Sequence, residues 1–344
     1  MRLASLILVV ALLGACSPGA ETPAPARPPA PPPRPPAPAK KPAQPVLFNT
    51  PEADAILSSL QVFPKDNPWN EDISERPVHP DSDKIIDQIG RTQRFRWNHD
   101  MSFILVPPDQ PKAPLARIEY PDESDPGPYP IPDGAPLEGW PICGVPLDKI
   151  QREGEGDRHV IVVDYAGLKL YELFSTFRTD AGWKAGSAAI FDLSSNKLRP
   201  DGWTSADAAG LPIFPAVVRY DECARGMVDH ALRVTFRRTR RAYVYPATHY
   251  ASSKKDPLLP RMGERFRLKK DFDISKFPPH VQAILKGLKK YGMICADNGI
   301  DWAVSVAPDA RILGLETLDH KAVKGNDFEI VVPTGPDEGP RARK

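Results

Sequence analysis

Proline is spread unevenly along this chain, and its distribution separates a part that can fold from a part that cannot. The 344 residues include 42 prolines, and 13 of these lie within residues 18–45, where alanine is the next most frequent residue. A segment of this composition has too little apolar surface to offset the entropy lost on folding. The other prolines are scattered over residues 46–344, at a density that suits a loop-rich domain. We therefore expect an extended tether followed by one folded domain.

Charge and hydrophobicity exclude several classes of protein. The chain has 45 Lys and Arg against 44 Asp and Glu, which gives a formal net charge of +1. This balance offers no general attraction to phosphate backbones, so we expect no nucleic-acid partner. A hydrophobic content of 41% and a charged content of 26% are typical of neither a disordered polyelectrolyte nor a polytopic membrane protein.

The first residues indicate a secretion signal that ends at a cysteine. Arg2 supplies a positive charge, and the apolar run 3–13 is shorter than the roughly 20 residues that a membrane-spanning helix needs. Small residues then precede Cys16 in the order Leu-Gly-Ala-Cys. This order resembles the bacterial lipobox, and the resemblance implies a lipid on the Cys16 thiol, cleavage before Cys16 and acylation of the new amino terminus. The alternative is an ordinary signal peptide with a chance cysteine.

The resemblance also implies where the protein is found. Residues 1–15 are then the signal peptide, and residues 16–45 are a lipidated Pro/Ala-rich tether whose partner is the lipid bilayer. Ser17 is not an acidic retention residue, which in lipoprotein sorting favours the outer membrane, on its periplasmic or its surface side. In a polyproline II conformation the tether would reach roughly 90 Å from the bilayer.

The remaining cysteines are Cys143, Cys223 and Cys295, an odd number for an oxidising compartment. They allow at most one internal disulfide, and Cys223 with Cys295 is the favoured pair because each lies beside a regular apolar element. Three buried free thiols that pack as small hydrophobes are at least as consistent with the sequence. The sequence contains no Cys-x-x-Cys, His-Glu-x-x-His, Gly-x-Ser-x-Gly, Gly-x-Gly-x-x-Gly or phosphate-binding loop. We therefore expect no metal and no cofactor.

Strand patterns outnumber helical patterns in the folded part. The predicted strands are 103–106, 115–120, 160–163, 168–174, 190–193, 227–236, 242–245, 264–268, 293–296, 302–306 and 328–332. The predicted helical segments are 82–90, one turn at 203–210, 215–226 and 278–292. The turn Asp297-Asn298-Gly299 predicts that 293–296 and 302–306 form a hairpin.

The sequence shows no regular alternation of strands and helices, which is the pattern that parallel strand–helix–strand units would give. The sequence therefore predicts a mainly β fold, an antiparallel β-sandwich or jelly-roll-like single domain with a few short helices. Residues 137–332 would form the β core, residues 46–136 a Pro-rich segment that wraps around it, and residues 333–344 a frayed tail.

Ionisable side chains are concentrated between residues 207 and 233. The catalytic candidates are Asp207, Arg219, Glu222, His230 and Arg233. In a polysaccharide lyase, His230 would act as base while Arg219 and Arg233 bind a uronate carboxylate. Each candidate also has an ordinary role: Glu222 on a solvated helix, His230 as a hydrogen-bonded core residue, and the arginines as ion-pair partners.

A glycoside hydrolase needs a different arrangement, with two carboxyl groups held roughly 5 to 10 Å apart. Asp207 and Glu222 are candidates for this pair, with Asp164 or Glu172 brought near by the fold. Asp164 and Glu172 are also candidate ligand-binding residues, together with His249 and Trp203. His249 follows a predicted strand, where loop residues often carry function, and Trp203 lies in a turn from which its ring could stack on a sugar.

Several segments together resemble a group of secreted bacterial proteins that have no assigned activity. They are Asp-Glu-Ser-Asp-Pro-Gly-Pro-Tyr-Pro-Ile-Pro (122–132), Gly-Asp-Arg-His-Val (156–160), Leu-Tyr-Glu-Leu (170–173), Gly-Trp-Thr-Ser-Ala-Asp-Ala-Ala-Gly-Leu-Pro-Ile (202–213), Val-Arg-Tyr-Asp-Glu (218–222), His-Ala-Leu-Arg (230–233) and Tyr-Gly-Met-Ile-Cys-Ala-Asp-Asn-Gly (291–299). The similarity spans most of residues 65–310 and implies membership of the group, but no mechanism.

The sequence thus favours a lipid-anchored envelope protein whose β domain binds polysaccharide and, in one interpretation, cleaves it. The alternative is a non-catalytic structural or assembly lipoprotein of the envelope. An enzyme should gather Asp207, Glu222, His230 and an arginine around one cleft, whereas a binding module should present aromatic side chains.

Overall fold

A computed structural model of the chain describes residues 44–320 and 323–335. The predicted signal peptide 1–15, the lipidation site Cys16, the tether up to residue 43 and the tail from residue 336 lie outside the described residues. Within the described ranges, no helix is long and apolar enough to cross a membrane.

Fourteen strands and six α-helices form in the described residues. The strands are β1 Val46–Leu47, β2 Arg96–His99, β3 Ile104–Val106, β4 Arg117–Ile118, β5 Val160–Asp164, β6 Lys169–Phe174, β7 Phe177–Thr179, β8 Gly182–Ala185, β9 Ser187–Asp192, β10 Leu232–Phe236, β11 Arg265–Leu268, β12 Met293–Asn298, β13 Ala303–Val306 and β14 Phe328–Ile330. The helices are α1 Pro51–Leu57, α2 Ser82–Ile89, α3 Leu147–Arg152, α4 Tyr220–Arg225, α5 Pro279–Lys290 and α6 Glu316–His320.

These strands form three sheets, and each sheet mixes parallel and antiparallel neighbours. The orders are β1-β3-β5-β6-β9, β14-β11-β12-β10-β13-β2 and β4-β8-β7. The parallel pairs are β3 with β5, β10 with β12, β13 with β2, and β4 with β8. The fold is therefore α/β with mixed sheets, and the predicted antiparallel β-sandwich or jelly roll is wrong.

The predicted hairpin shows why the sequence suggested an antiparallel fold. The turn after β12 is present, but β10 lies between β12 and β13 in the sheet. β10 is parallel to β12 and antiparallel to β13, so the two expected partners never pair. A strand from much earlier in the chain has been inserted between them, and local turn chemistry carries no signal for such an insertion.

The two long helices agree with their predicted spacing. Ile85, Ile86 and Ile89 of α2 are buried, and Gly90 ends the helix with a left-handed φ of 117°. The apolar face of α5 is likewise buried, and it packs near β11 of the six-stranded sheet. Both predicted helices are confirmed, because each one buries a stripe of apolar residues at helical spacing.

The five-stranded sheet is buried on both faces. Ile161 and Val163 of β5 face a large core shared with the six-stranded sheet. Val160 and Val162 face a second core that contains Tyr129 and other residues from the Pro-rich stretch before residue 137. These proline-bounded residues thus cover the outer face of the sheet, which explains why β5 is an almost continuous apolar run.

The cysteines in the described residues are free. Cys223 and Cys295 are buried and Cys143 is exposed, and none forms a disulfide. The Sγ atom of Cys295 contacts the sulfur of Met262 at 3.9 Å instead. The free-thiol alternative therefore holds for Cys223 and Cys295, which pack as small apolar side chains.

Candidate functional site

The segment after Trp203 carries Asp207 into the interior. The expected helical turn at 203–210 is wrong, because Ser205 folds the backbone back on itself: its Oγ donates to the carbonyl of Leu211 at 2.6 Å and accepts from the N–H of Asp207 at 2.9 Å. Gly210 has a φ of 72°, and a Cβ there would lie 2.0 Å from Oγ1 of Thr248. The segment therefore needs glycine at that position to pass so close to residue 248.

Asp207 forms a bidentate ion pair with Arg233 of β10. The Nε and Nη2 atoms of Arg233 donate to the two carboxylate oxygens at 2.8 and 2.7 Å, and both side chains are buried. Nη1 of Arg233 donates to Ser305 on β13 at 2.7 Å, and Ser305 in turn donates to Asp100 at 3.3 Å. This chain of bonds joins the 203–210 segment to β10 and β13 of the six-stranded sheet and to Asp100, which directly follows β2.

Two further carboxyl groups in this network hold protons more tightly than usual. Burial raises the pKa of Asp100 to about 7, and its Oδ1 has no hydrogen-bond partner among the described residues. Burial and the neighbouring Asp207 raise the pKa of Asp297 well above its usual range. Asp297, partly exposed, also accepts from the N–H of Ala208 at 3.3 Å. A protonated Asp297 is the form that can donate a hydrogen bond to the ionised Asp207.

A buried histidine adjoins this network. Nδ1 of His159 lies 2.9 Å from Oε2 of Glu138, and Nε2 lies 3.0 Å from the carbonyl oxygen of Ala206. Both partners are acceptors, so both ring nitrogens must donate and the imidazole is charged. Burial opposes that charge, but the Glu138 carboxylate outweighs it and raises the pKa of His159 to about 9.

Replacing His159 with glutamine tests this charge through the pH dependence of stability. The pKa of His159 lies above its ordinary 6.5, so its stabilisation is complete below pH 6.5 and is lost as pH rises through about 9. Between pH 7 and 9, the free energy of unfolding of the natural chain should fall by about 2 kcal/mol more than that of His159→Gln. Denaturation with guanidinium at each pH measures this, with His79→Gln as control. Equal slopes for the two chains would contradict a charged His159.

Arg219, Glu222 and His230 form a separate buried cluster at α4. The carboxylate of Glu222 accepts from Nη2 of Arg219 and lies 3.1 Å from Nε2 of His230. Burial opposes the ionised form of Glu222, but these two partners outweigh it and lower the pKa of Glu222. Its Oε2 also accepts from the N–H of Arg219, which places the cluster at the start of the helix. Arg219 and His230 thus both bind the Glu222 carboxylate, while Nε and Nη1 of Arg219 have no hydrogen-bond partner among the described residues.

Glu172 and Asp164 each bind backbone groups. The buried carboxylate of Glu172 accepts from the N–H groups of Ile213 and Phe214 at 2.8 Å, which fixes the start of a 3-10 turn, and burial raises its pKa to about 7. Oδ1 of Asp164 accepts from the N–H of Gly167 at 2.7 Å in the turn between β5 and β6. The structure therefore brings Asp207 together with Arg233, and Glu222 with Arg219 and His230, but it does not gather these candidates around one cleft.

A large opening lies elsewhere, and Trp203 forms part of its wall. It is a cleft of about 1660 Å³, with walls from many parts of the chain. Its aromatic walls include Trp203, Tyr243 and Tyr245. The hydroxyl of Tyr243 donates to Asp201 at 2.8 Å, and the Arg199 guanidinium lies 5.5 Å from the Trp203 ring. We call this opening the aromatic cleft.

Ion pairs compensate most charges in the aromatic cleft. Lys169 pairs with Asp192 at 2.8 Å, and Arg199 pairs with Asp125 at 2.5 Å. Arg261, another wall residue, pairs with Glu264 at 2.8 Å. The walls of the aromatic cleft therefore offer aromatic faces and paired polar groups with little net charge.

Sequence reasoning missed most residues of this cleft. Residues 242–245 were predicted as a strand, whereas the structure has only an isolated bridge between Tyr243 and Met262. The signal that could have located the cleft is the density of aromatic residues from 243 to 250. His249 is close by: Nδ1 lies 2.8 Å from the carbonyl oxygen of Ala208, and its ring stacks on Tyr250.

A second cavity of about 520 Å³ is bordered by Glu138 and the loop 153–158. In the described part of the chain, no group of three or more His, Cys, Asp or Glu is arranged to hold a metal ion.

Comparison of the chain with protein-family models, with curated proteins and with solved structures found no match.

Proposed function

We propose that this chain is a lipid-anchored protein of the cell envelope that binds a polysaccharide in the aromatic cleft. The observation that carries the proposal is the set of aromatic walls formed by Trp203, Tyr243 and Tyr245. The apolar face of a sugar ring packs on such side chains, while its hydroxyls need nearby polar groups. Paired charges such as Lys169 with Asp192 provide donors and acceptors without a strong field.

The size of the cleft supports a polymer as ligand. Its volume of about 1660 Å³ exceeds the roughly 300–1,000 Å³ that is typical of sites for small molecules. A chain of several sugar units fills such a space better than a single metabolite does. The predicted tether fits the same function, because a reach of roughly 90 Å would let the cleft meet polymers at a distance from the anchoring bilayer.

Binding without cleavage is the function we favour. The predicted catalytic groups Asp207, Glu222 and Arg233 are buried and bonded to one another or to neighbours, which leaves none of them available to a substrate. The competing proposal is a structural or assembly role in the envelope without catalysis. Such a role would not require a glycan to bind in the aromatic cleft.

Cleavage is a second candidate because of Asp297. Asp297 is half-buried as a residue, and its carboxyl group has a pKa raised by burial and by Asp207. A carboxylic acid kept protonated in this way suits a general acid that protonates a glycosidic oxygen. If the protein releases oligosaccharides, Asp297→Asn should retain binding and lose about a hundredfold or more of the rate.

A binding screen tests the proposal. The detergent-solubilised full chain is applied to a glycan array and to a set of soluble polysaccharides, and the reducing ends are measured after incubation. We expect retention of at least one polysaccharide class with no new reducing ends. New reducing ends would establish cleavage instead, and no retention of any polysaccharide would contradict the proposed function.

A further inference from the structure

Five basic residues lie on two neighbouring segments of the chain beyond one wall of the aromatic cleft. They are Arg238, Arg240, Arg241, Lys254 and Lys255, which we call the basic patch. The backbone N–H of Arg241 donates to the carbonyl of Lys254 at 2.6 Å, so two separate segments are held side by side. All five side chains except the half-buried Arg240 are exposed.

No carboxylate of the described residues forms a close ion pair with the basic patch, although Asp256 and Glu264 act on Arg240 from a greater distance. None of the five residues forms an ion pair with another residue that the structure describes, although Arg261 beside them pairs with Glu264. The Nε atom of Arg240 is buried and has no hydrogen-bond partner among the described residues. Burial and the charge of Arg261 both lower the pKa of Arg240. An anion bound here would remove an unfavourable accumulation of like charge.

The basic patch is continuous with the aromatic cleft in two places. Tyr243, a wall of the cleft, stacks on Tyr250 with ring centroids 6.2 Å apart. Nε of Arg241 donates to the hydroxyl of Tyr250 at 3.1 Å. On the other side, Arg240 lies near Arg261, which also lines the cleft. A polymer that leaves the cleft past Tyr243 would therefore meet the guanidinium groups of the basic patch.

We propose that the basic patch binds the carboxylate groups of a uronic-acid polysaccharide whose sugar rings lie in the aromatic cleft. This inference rests on the proposed function and adds the chemical class of the ligand. Arg241, whose Nε is held by Tyr250, keeps its two Nη groups as planar donors that match the two oxygens of a carboxylate. Arg240 adds positive charge beside it. Lys254 and Lys255 add positive charge that attracts a polyanion from a distance.

An anionic membrane would also attract a group of basic residues. The fixed geometry of the arginines favours the glycan. Arg241 is held against the Tyr250 ring, with its guanidinium carbon 5.5 Å from the centroid, and Nη1 of Arg240 donates to the carbonyl of Pro257 at 3.0 Å. Such positioned donors at the end of a cleft suit carboxylates spaced along a polymer.

Charge removal tests the inference. The full chain in detergent is titrated with polygalacturonate and with a neutral glucan of similar length. Its Cys16→Ser variant, which should carry no lipid anchor, is mixed without detergent with vesicles that contain phosphatidylglycerol. The test variant is Arg240→Gln/Arg241→Gln/Lys254→Gln/Lys255→Gln. Its matched control removes four charges from exposed positions elsewhere, Lys65→Gln/Arg94→Gln/Arg96→Gln/Arg117→Gln.

We expect the natural chain to bind polygalacturonate more tightly than the glucan, and less tightly as salt rises. The test variant should lose at least about tenfold in affinity for polygalacturonate, and the control less than about twofold. Equal, salt-insensitive binding of both polymers would overturn the inference and leave the proposed function intact. Binding to the vesicles alone, or to no polymer, would overturn both.

Discussion

Replacing Arg233 with methionine is expected to destabilise the folded domain by about 3–5 kcal/mol. Arg233 is buried and is the bidentate partner of the buried Asp207. Without it, the Asp207 carboxylate stays in a poorly solvated site beside Asp100 and Asp297, which are also acidic. An isolated charge in such a site costs several kcal/mol, far more than the intact pair contributes.

The loss of stability in Arg233→Met should depend on pH and on whether Asp207 is still present. The unpaired carboxylate can escape its cost by taking up a proton, so part of the lost stability should return as the pH falls. The double variant Arg233→Met/Asp207→Leu removes both charges and should recover most of the stability. Unfolding in guanidinium, followed by tryptophan fluorescence, measures each free energy.

Arg237→Met is the matched control for this experiment. Arg237 follows the same strand, its side chain is 71% exposed, and its contact with Asp301 is 3.7 Å long. With an exposed arginine and so long a contact, the pair contributes less than about 1 kcal/mol, and the buried Asp301 keeps the backbone N–H of residue 237 as a donor in the variant. If Arg233→Met were as mild as Arg237→Met, the network around Asp207 would not hold the sheet and the 203–210 segment together.

Replacing Cys16 with serine should abolish acylation and placement in the outer membrane. The predicted lipobox needs the thiol of Cys16 as the atom that carries the lipid, and serine does not offer it. Each buried methylene contributes about 0.8 kcal/mol to membrane binding, so two or more acyl chains give a stable anchor. Labelled palmitate, followed by fractionation of the envelope and mass measurement of the amino terminus, detects the modification.

Cys143→Ser is the control, because Cys143 is an exposed free thiol in the folded domain. It should keep the palmitate label and the outer-membrane location that we expect of the natural chain. A Cys16→Ser variant that still carries the label, or a natural chain cleaved at another residue, would contradict the predicted lipobox.

The sequence predicted regular elements well where one face of an element is buried. In β10, Leu232 and Val234 alternate with Arg233, and the structure confirms that the apolar pair faces the core while Arg233 faces the ion-pair network. Periodicity of this kind acts over a few residues, so a single chain shows it. The pairing of strands depends on contacts between distant segments, and this is why the parallel pair β10–β12 was missed.

The ion-pair network around Asp207 was predicted only in part, because it too depends on contacts between distant segments. Asp207 and Arg233 were recognised as ionisable residues, but Asp100, Glu138 and His159 come from distant segments that converge only through the fold. Asp297 was interpreted as a turn residue because Asp-Asn-Gly is a common turn sequence.

The aromatic cleft was missed for a further reason. It is formed by loops, and loop geometry depends on caps, ion pairs and close contacts that no periodic pattern shows. Trp203 was the one candidate that the structure places in its wall.

The proposed function is tested most directly by removing the aromatic walls of the cleft. The variant Trp203→Ala/Tyr243→Ala takes away two faces on which sugar rings would stack. Trp183→Ala/Tyr120→Ala removes the same residue types outside the cleft walls, and the Tyr120 side chain is 54% exposed. Calorimetric titration with the polysaccharide that the full chain retains gives the affinity of each variant. The cleft variant should bind about 30-fold more weakly, or worse, while the control stays within about twofold of the natural chain. Unchanged affinity in Trp203→Ala/Tyr243→Ala would contradict a polysaccharide site in the aromatic cleft.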